Sequence, residues 1–72
     1  MNKLGKHLRD KRLNLALTQI ELGKKIGVTN VTISRIESGV HIGPATIRKL
    51  SEFLNIATQN IRALMLFKEE TE

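Results

Sequence analysis

The chain has 72 residues and a formal net charge of +5. This length leaves room for one small core, so we expect residues 1–72 to form a single domain. It contains no cysteine, which excludes a disulfide framework, a thiolate zinc site and a cysteine nucleophile, and agrees with a cytoplasmic location.

The basic charge is uneven along the chain. Residues 1–50 carry ten basic and three acidic residues, a net charge of +7, whereas residues 51–72 carry a net charge of −2. A basic body of this kind favours a phosphate-bearing partner, because neutralising phosphates releases condensed counterions, although charge alone also fits an ordinary basic surface. The longest apolar run has five residues, 63–67, far fewer than the roughly 20 that a membrane helix needs. We expect neither a membrane span nor a secretory signal.

The first predicted helix covers about residues 2–15. Leu4, Leu8 and Leu15 recur near multiples of one helical turn, with lysines and arginines between them, which is the pattern of an amphipathic helix. We expect this helix to end near Asn14.

A capping signal predicts a second helix over about Gln19–Ile26. Thr18 offers a hydroxyl N-cap, and Glu21 three residues later completes the capping-box pattern. Gly27 falls just past this helix, where a left-handed residue commonly ends a helix, and Val28 follows as an apolar anchor for the bend.

A third helix is predicted from Asn30 to Ser38, with Thr29 as its N-cap and Gly39 as its end. Ile33 and Ile36 fall on its inner face. The opposite arc carries mainly polar residues: Asn30, Val31, Ser34, Arg35 and Ser38.

Two further helices complete the predicted domain. The loop Val40–Gly43 leads to Pro44, which suits the first position of a fourth helix that ends at Asn55. The inner face of that helix consists of Ile47, Leu50 and Leu54. Thr58 is the expected cap of a fifth helix, which is apolar over most of its circumference through Ile61, Ala63, Leu64, Met65, Leu66 and Phe67. Five helices without a strand predict an all-α domain.

The stretch from about residue 18 to residue 38 has the helix-turn-helix pattern: two short helices joined by a turn of about four residues that begins at Gly27. In this motif the first helix stands across a phosphate backbone and the second lies in the DNA major groove. The two helices cross near Gly23, where a small residue is required although glycine costs about 1 kcal/mol of helix propensity relative to alanine.

Residues 4–57 resemble the Xre/Cro family of helix-turn-helix domains, which includes the lambda-type phage repressors. The matching segments are LRDKR, LTQIELGKKIGV, TISRIESG and PATIRKLSEFL, in the family's order and without gaps. The resemblance implies a compact five-helix, lambda-repressor-like domain that binds double-stranded DNA.

The resemblance assigns base contacts to Asn30, Val31 and Arg35. Side-chain chemistry agrees, because Asn pairs with adenine, Arg pairs with guanine, and Val packs on a thymine methyl group. The alternatives are a solvated surface charge for Arg35 and a helix-capping role for Asn30.

The resemblance assigns a phosphate contact to Gln19, through its backbone N–H and side chain at a helix N-terminus; the alternative is a favourable first-turn residue. Further phosphate candidates are Thr18, Thr29, Ser34, Ser38 and His41. The loop after the third helix has few basic residues, so Lys6, Arg9 and Arg48 are candidates to replace its phosphate contact.

Arg12 and Glu37 match a family salt bridge between the first helix and the end of the third. Two unrelated surface charges are the alternative.

His7 and His41 lack a second ligand at metal spacing, so no metal site is expected. The sequence offers no recognisable set of nucleophile, general base and orienting residue, so we do not expect the protein to be an enzyme.

We therefore expect a transcriptional regulator that works without a cofactor, as a repressor and a homodimer on a palindromic operator. We expect the dimer contacts to lie within residues 58–72, at Leu64, Leu66 and Phe67; alternatively, Ile61, Leu64 and Met65 only close the core. Two other functions remain open. One is an antitoxin-type module that binds its promoter and a partner protein, and the other is an architectural DNA protein.

Overall fold

The computed structural model describes residues 2–66, which form five α-helices and no β-strand within that range. The all-α prediction is confirmed. The helices are α1 (Lys3–Asn14), α2 (Gln19–Ile26), α3 (Asn30–Ser38), α4 (Pro44–Leu54) and α5 (Thr58–Leu66). No helix in this part of the chain is long and apolar enough to cross a membrane.

One aliphatic core holds the five helices together. Every helix contributes to it, and the α3–α4 loop contributes Ile42. Fully burying a Leu or Ile side chain contributes about 1.5–3 kcal/mol relative to leaving it exposed, so this set is the main source of stability. The buried residues are Leu4, Leu8, Leu22, Ile33, Ile36, Ile42, Ile47, Leu50, Leu54 and Ile61.

Side-chain caps fix where three of the helices begin. In α2 the Thr18 hydroxyl accepts from the Glu21 N–H at 3.1 Å, and the Glu21 carboxylate accepts from the Thr18 N–H at 2.8 Å. Thr29 caps α3 by accepting from the Thr32 N–H at 3.2 Å. Asn2 caps α1 in the same way. These bonds satisfy N–H groups that have no acceptor within their own helix.

Two local predictions differ from the structure. Leu15 lies just after α1 and is 45% exposed, because α1 ends at Asn14 and the chain reverses at Ala16, whose φ is +57°. Leu17 packs against the core instead. Thr58 is the first residue of α5 rather than its cap, since the Ala57 carbonyl already accepts the Ile61 N–H at 3.0 Å.

The backbones of α1 and α3 approach each other at Gly5. A Cβ atom at this position would lie 2.7 Å from the carbonyl oxygens of both Ile36 and Glu37. This distance is shorter than van der Waals contact, so only glycine lets α1 rest directly on the end of α3. The approach brings the last turn of α1 close enough to α3 for their side chains to pair.

Candidate nucleic-acid interface

The turn between α2 and α3 begins at Gly27, which is left-handed with φ +97°. The N–H groups of Gly27 and Val28 both donate to the carbonyl oxygen of Gly23, at 2.7 and 2.8 Å. Val28 is half-buried and packs against the core. This arrangement ends α2 and directs the chain into α3 at a fixed angle.

Gly23 is buried where this turn folds back onto α2. A Cβ atom here would lie 2.6 Å from the Val28 carbonyl oxygen. The sequence assigned Gly23 to a crossing of the two helices, and the structure places the contact slightly earlier, on the turn that precedes α3. Any larger residue would push that turn, and with it α3, away from α2.

The outer face of α3 is solvent-exposed, whereas its inner face is buried. Ile33 is 0% and Ile36 is 1% exposed. The three residues assigned to base contacts, Asn30, Val31 and Arg35, are all exposed. Val31 is an aliphatic side chain that is 52% exposed without contributing to the core. The structure therefore brings the three residues together on the accessible side of one short helix.

A bidentate ion pair connects the end of α1 to the end of α3. Arg12 donates from Nε to Oε2 of Glu37 at 2.7 Å and from Nη2 to Oε1 at 3.1 Å. It also donates from Nη1 to the Leu17 carbonyl at 3.0 Å. The hydrogen bond to Glu37 raises the pKa of Arg12 above its ordinary value, while burial opposes this shift. The pair orients α3 from its inner side.

Gln19, the first residue of α2, joins this ion pair. Its Nε2 donates to Oε1 of Glu37 at 3.2 Å. Glu37 therefore fixes the position of the Gln19 side chain, independently of the phosphate contact that the sequence assigns to Gln19. The backbone N–H groups of this first turn point out of the helix end, where an anion is electrostatically favoured.

A shallow depression of about 410 Å³ lies between α1, α2 and α3. It brings together three of the residues assigned to phosphate contacts and two guanidinium groups, with one carboxylate among them. Thr18, Thr29 and His41 do not line it; they are exposed at two helix starts and in the α3–α4 loop. The lining residues are Arg9, Arg12, Gln19, Ser34, Glu37 and Ser38.

The α3–α4 loop is anchored more firmly than its sequence indicates. Ile42 is 7% exposed and belongs to the core. The Val40 N–H donates to the Arg35 carbonyl at 2.9 Å, which completes the end of α3. The Val40 side chain is 50% exposed beside the exposed His41. Sequence analysis did not single out Val40, because an isolated aliphatic residue in a loop carries no periodic signal.

Within residues 2–66 no group of three His, Cys, Asp or Glu side chains is placed to hold a metal ion. His7 and His41 are both exposed. Glu37, the one buried charged residue among those described, is committed to Arg12 and Gln19. The polar contacts that Glu37 makes are hydrogen bonds and an ion pair.

Comparison with known proteins identifies the family. A family model described as helix-turn-helix matches residues 8–60. The chain is 36% identical over 76 residues to the uncharacterized HTH-type transcriptional regulator RghRB of Bacillus subtilis (strain 168). That alignment covers 97% of this chain and 55% of the relative, so the chain spans about half the length of the curated relative it matches.

No solved structure matches the chain. The family match and the relative both support DNA-binding transcription regulation as the class of function. The buried inner face of α3, its exposed outer face and the left-handed turn before it agree with that match. The chain belongs to the Xre/lambda-repressor-like family of helix-turn-helix proteins.

Proposed function

We propose that this domain binds double-stranded DNA sequence-specifically, with α3 in the major groove, as part of a transcriptional regulator. The observation that carries the proposal is the outer face of α3. Three exposed side chains of different hydrogen-bonding character lie there on a helix whose inner face is fully buried. A helix that is anchored by its inner face in this way fits the major groove and presents its outer side chains to base edges.

Base reading is assigned to Asn30, Val31 and Arg35. The Arg35 guanidinium donates two parallel hydrogen bonds to guanine O6 and N7, and the Asn30 amide pairs with adenine N6 and N7. Val31 supplies an apolar surface for a thymine methyl group. All three are exposed, so contact with a base edge does not require the domain to refold.

Phosphate contacts are assigned to the residues around the depression and at the two helix starts. Gln19, Ser34 and Ser38 line the depression together with Arg9. The N-terminal ends of α2 and α3, at Thr18 and Thr29, are electrostatically favourable for anions. In the α3–α4 loop we assign the exposed His41 to the same role. These contacts position α3 and carry no sequence information themselves.

We further propose that two copies bind a palindromic operator. Leu66 is 81% exposed at the end of α5. It borders a largely apolar groove of about 460 Å³ that is also lined by Ile42, Pro44, Ile47 and Met65, together with the polar residues Asn2, His41 and Arg62. One face thus carries both a projecting apolar side chain and an apolar recess, which is what a two-fold interface requires.

The contributions of the three assigned dimer residues differ. Leu64 is half-buried and packs against the core, which leaves it little surface for a partner. Leu66 is almost wholly available, and Phe67 lies outside the described residues.

Two copies that occupy an operator exclude other proteins from the same DNA, so we propose repression, in the cytoplasm, as the mode of action.

Selection of binding sites from random DNA duplexes tests this function. We expect an enriched palindromic motif with half-sites about one helical turn apart, because a two-fold dimer places its two α3 helices at that spacing. An enriched motif without symmetry would support DNA reading and contradict the dimer. Recovery of no enriched motif, despite measurable binding, would contradict sequence-specific regulation.

A further inference from the structure

A lysine of α4 contacts the turn of the helix-turn-helix. The Nζ of Lys49 donates to the carbonyl oxygen of Gly27 at 2.9 Å, across 22 residues of sequence. Gly27 is both the end of α2 and the first residue of the turn into α3. The DNA contacts proposed above do not use Lys49, and its position on the polar side of α4 gives no sequence signal for this bond.

The electrostatics of a helix end favour this contact. The last carbonyl groups of a helix have no N–H partner within it, and they form the negative end of the helix dipole. A lysine ammonium group there satisfies a carbonyl and neutralises partial negative charge. Lys49 thus acts on the C-terminal end of α2 although it belongs to a different helix.

The turn has further contacts with α2 and with the core. Its inner contacts are the close approach to Gly23 and the packing of Val28 against the core. Lys49 adds a tie to α4, which is itself fixed in the core by Ile47 and Leu50. The angle at which α3 leaves the turn therefore depends on α4 as well as on α2.

We propose that Lys49 is a positioning residue for DNA recognition, which orients α3 by holding the Gly27 carbonyl. This inference rests on the proposed function, because it concerns the helix assigned to the major groove. Its ammonium group donates to the Gly27 carbonyl, and in this proposal Lys49 affects DNA affinity through the turn and not through a phosphate contact. Neutralising it changes how well α3 fits its site and leaves the number of phosphate contacts unchanged.

The test compares Lys49→Met with Lys11→Met in the full chain. Both variants lose one positive charge from an exposed lysine, but only Lys49 contacts Gly27, and no DNA contact is proposed for Lys11. Two quantities are measured: the Kd for the selected operator at several salt concentrations, and the amide hydrogen exchange of Gly27 and Val28. A third variant, Lys49→Arg, keeps a cationic donor.

For Lys49→Met we expect operator binding to weaken by about two- to five-fold, the usual effect of a charge at an exposed helix end. The salt dependence of log Kd should stay as in the wild type, and exchange at Gly27 and Val28 should become faster. Exchange at Ile61 in α5 should not change, and Lys49→Arg should restore part of the affinity.

A salt slope that falls by about one in Lys49→Met would instead identify a direct phosphate contact and overturn the positioning role. Unchanged exchange at the turn, with unchanged Kd, would overturn it as well. If the wild type itself shows no sequence-specific binding, the proposed function fails. The exchange comparison then still decides whether Lys49 holds the turn.

Discussion

Glu37 connects three helices through a single carboxylate. It lies at the end of α3, accepts two hydrogen bonds from Arg12 of α1 and accepts one from Gln19 of α2. Its side chain is 7% exposed and that of Arg12 is 13% exposed. Charges this far removed from water need close partners, because the Coulombic attraction must offset their desolvation.

At this scale we expect Arg12→Met to destabilise the domain by about 3 kcal/mol, because it leaves a buried carboxylate without its cation. Urea denaturation of the variant and of Lys11→Met, an exposed neighbour on α1, measures the difference. The double variant Arg12→Met, Glu37→Met should be more stable than Arg12→Met alone. If Arg12→Met unfolds at the same urea concentration as Lys11→Met, the ion pair does not support the fold.

At the scale of elements, α2 depends on its capping box. The Thr18 N–H donates to the Glu21 carboxylate, and the N–H of Glu21 donates to the Thr18 hydroxyl. The hydrogen bonds from Thr18 lower the pKa of Glu21 below its ordinary value. We therefore expect the capping box at the start of α2 to weaken when Glu21 is protonated.

The sign of this dependence follows from the lowered pKa. The folded state favours the charged form of Glu21, so the added stability is fully present above the pKa of the unfolded chain. It is lost as the pH falls through the lower pKa of the folded state. We expect wild type to be more stable than Glu21→Gln at neutral pH, with the difference shrinking on acidification. Denaturation at a series of pH values measures it, and a difference that is constant with pH would contradict the assignment.

The elements that sequence analysis predicted best are those with local signals. The bounds of α2 and α3 follow from Thr18, Thr29 and Gly27, because caps and left-handed residues act within one turn of the chain. The exposed outer face of α3 follows equally from helical periodicity. Those signals are sufficient to place the proposed base-reading residues on one surface.

Features that depend on tertiary contacts were not predictable in the same way. Gly5 appears in sequence as an unfavourable residue in a helix, and only the approach of α3 explains it. Ile42 reads as a loop residue but belongs to the core. The amide of Gln19 could not be assigned to Glu37 without knowing that α1, α2 and α3 meet there. Such pairings join residues far apart in sequence, for which periodicity gives no signal.

At the scale of the whole molecule, the proposed dimer surface lies on α5, the loop after α3 and the first turns of α4. We expect Leu66→Glu to weaken self-association, because it places a charge where an apolar recess of the second copy would lie. Sedimentation velocity measures this, with Leu13→Glu as the control, since Leu13 is also an exposed aliphatic residue, 55% accessible, but lies on α1. Sedimentation of Leu66→Glu identical to that of the wild type would remove this surface from the interface.

The whole molecule also carries a net charge of +5, so some affinity for any DNA is expected from phosphate contacts alone. Base-specific affinity must therefore be measured separately from this non-specific affinity for DNA phosphates. Arg35 suits the purpose because it is exposed on α3, so its replacement leaves the core intact. Gln19 is the comparison, since its proposed contact is with the DNA phosphate backbone and not with a base; its replacement also removes the hydrogen bond to Glu37, so the stability of the variant is measured alongside its binding.

The most direct test is the binding of Arg35→Ala and Gln19→Ala to the selected operator, to operators changed at single base pairs, and to random DNA. We expect Arg35→Ala to lose about 1–3 kcal/mol on the operator and to stop discriminating at one base position, while Gln19→Ala weakens binding to all sequences alike. Equal losses for Arg35→Ala on operator and random DNA would contradict base reading by α3.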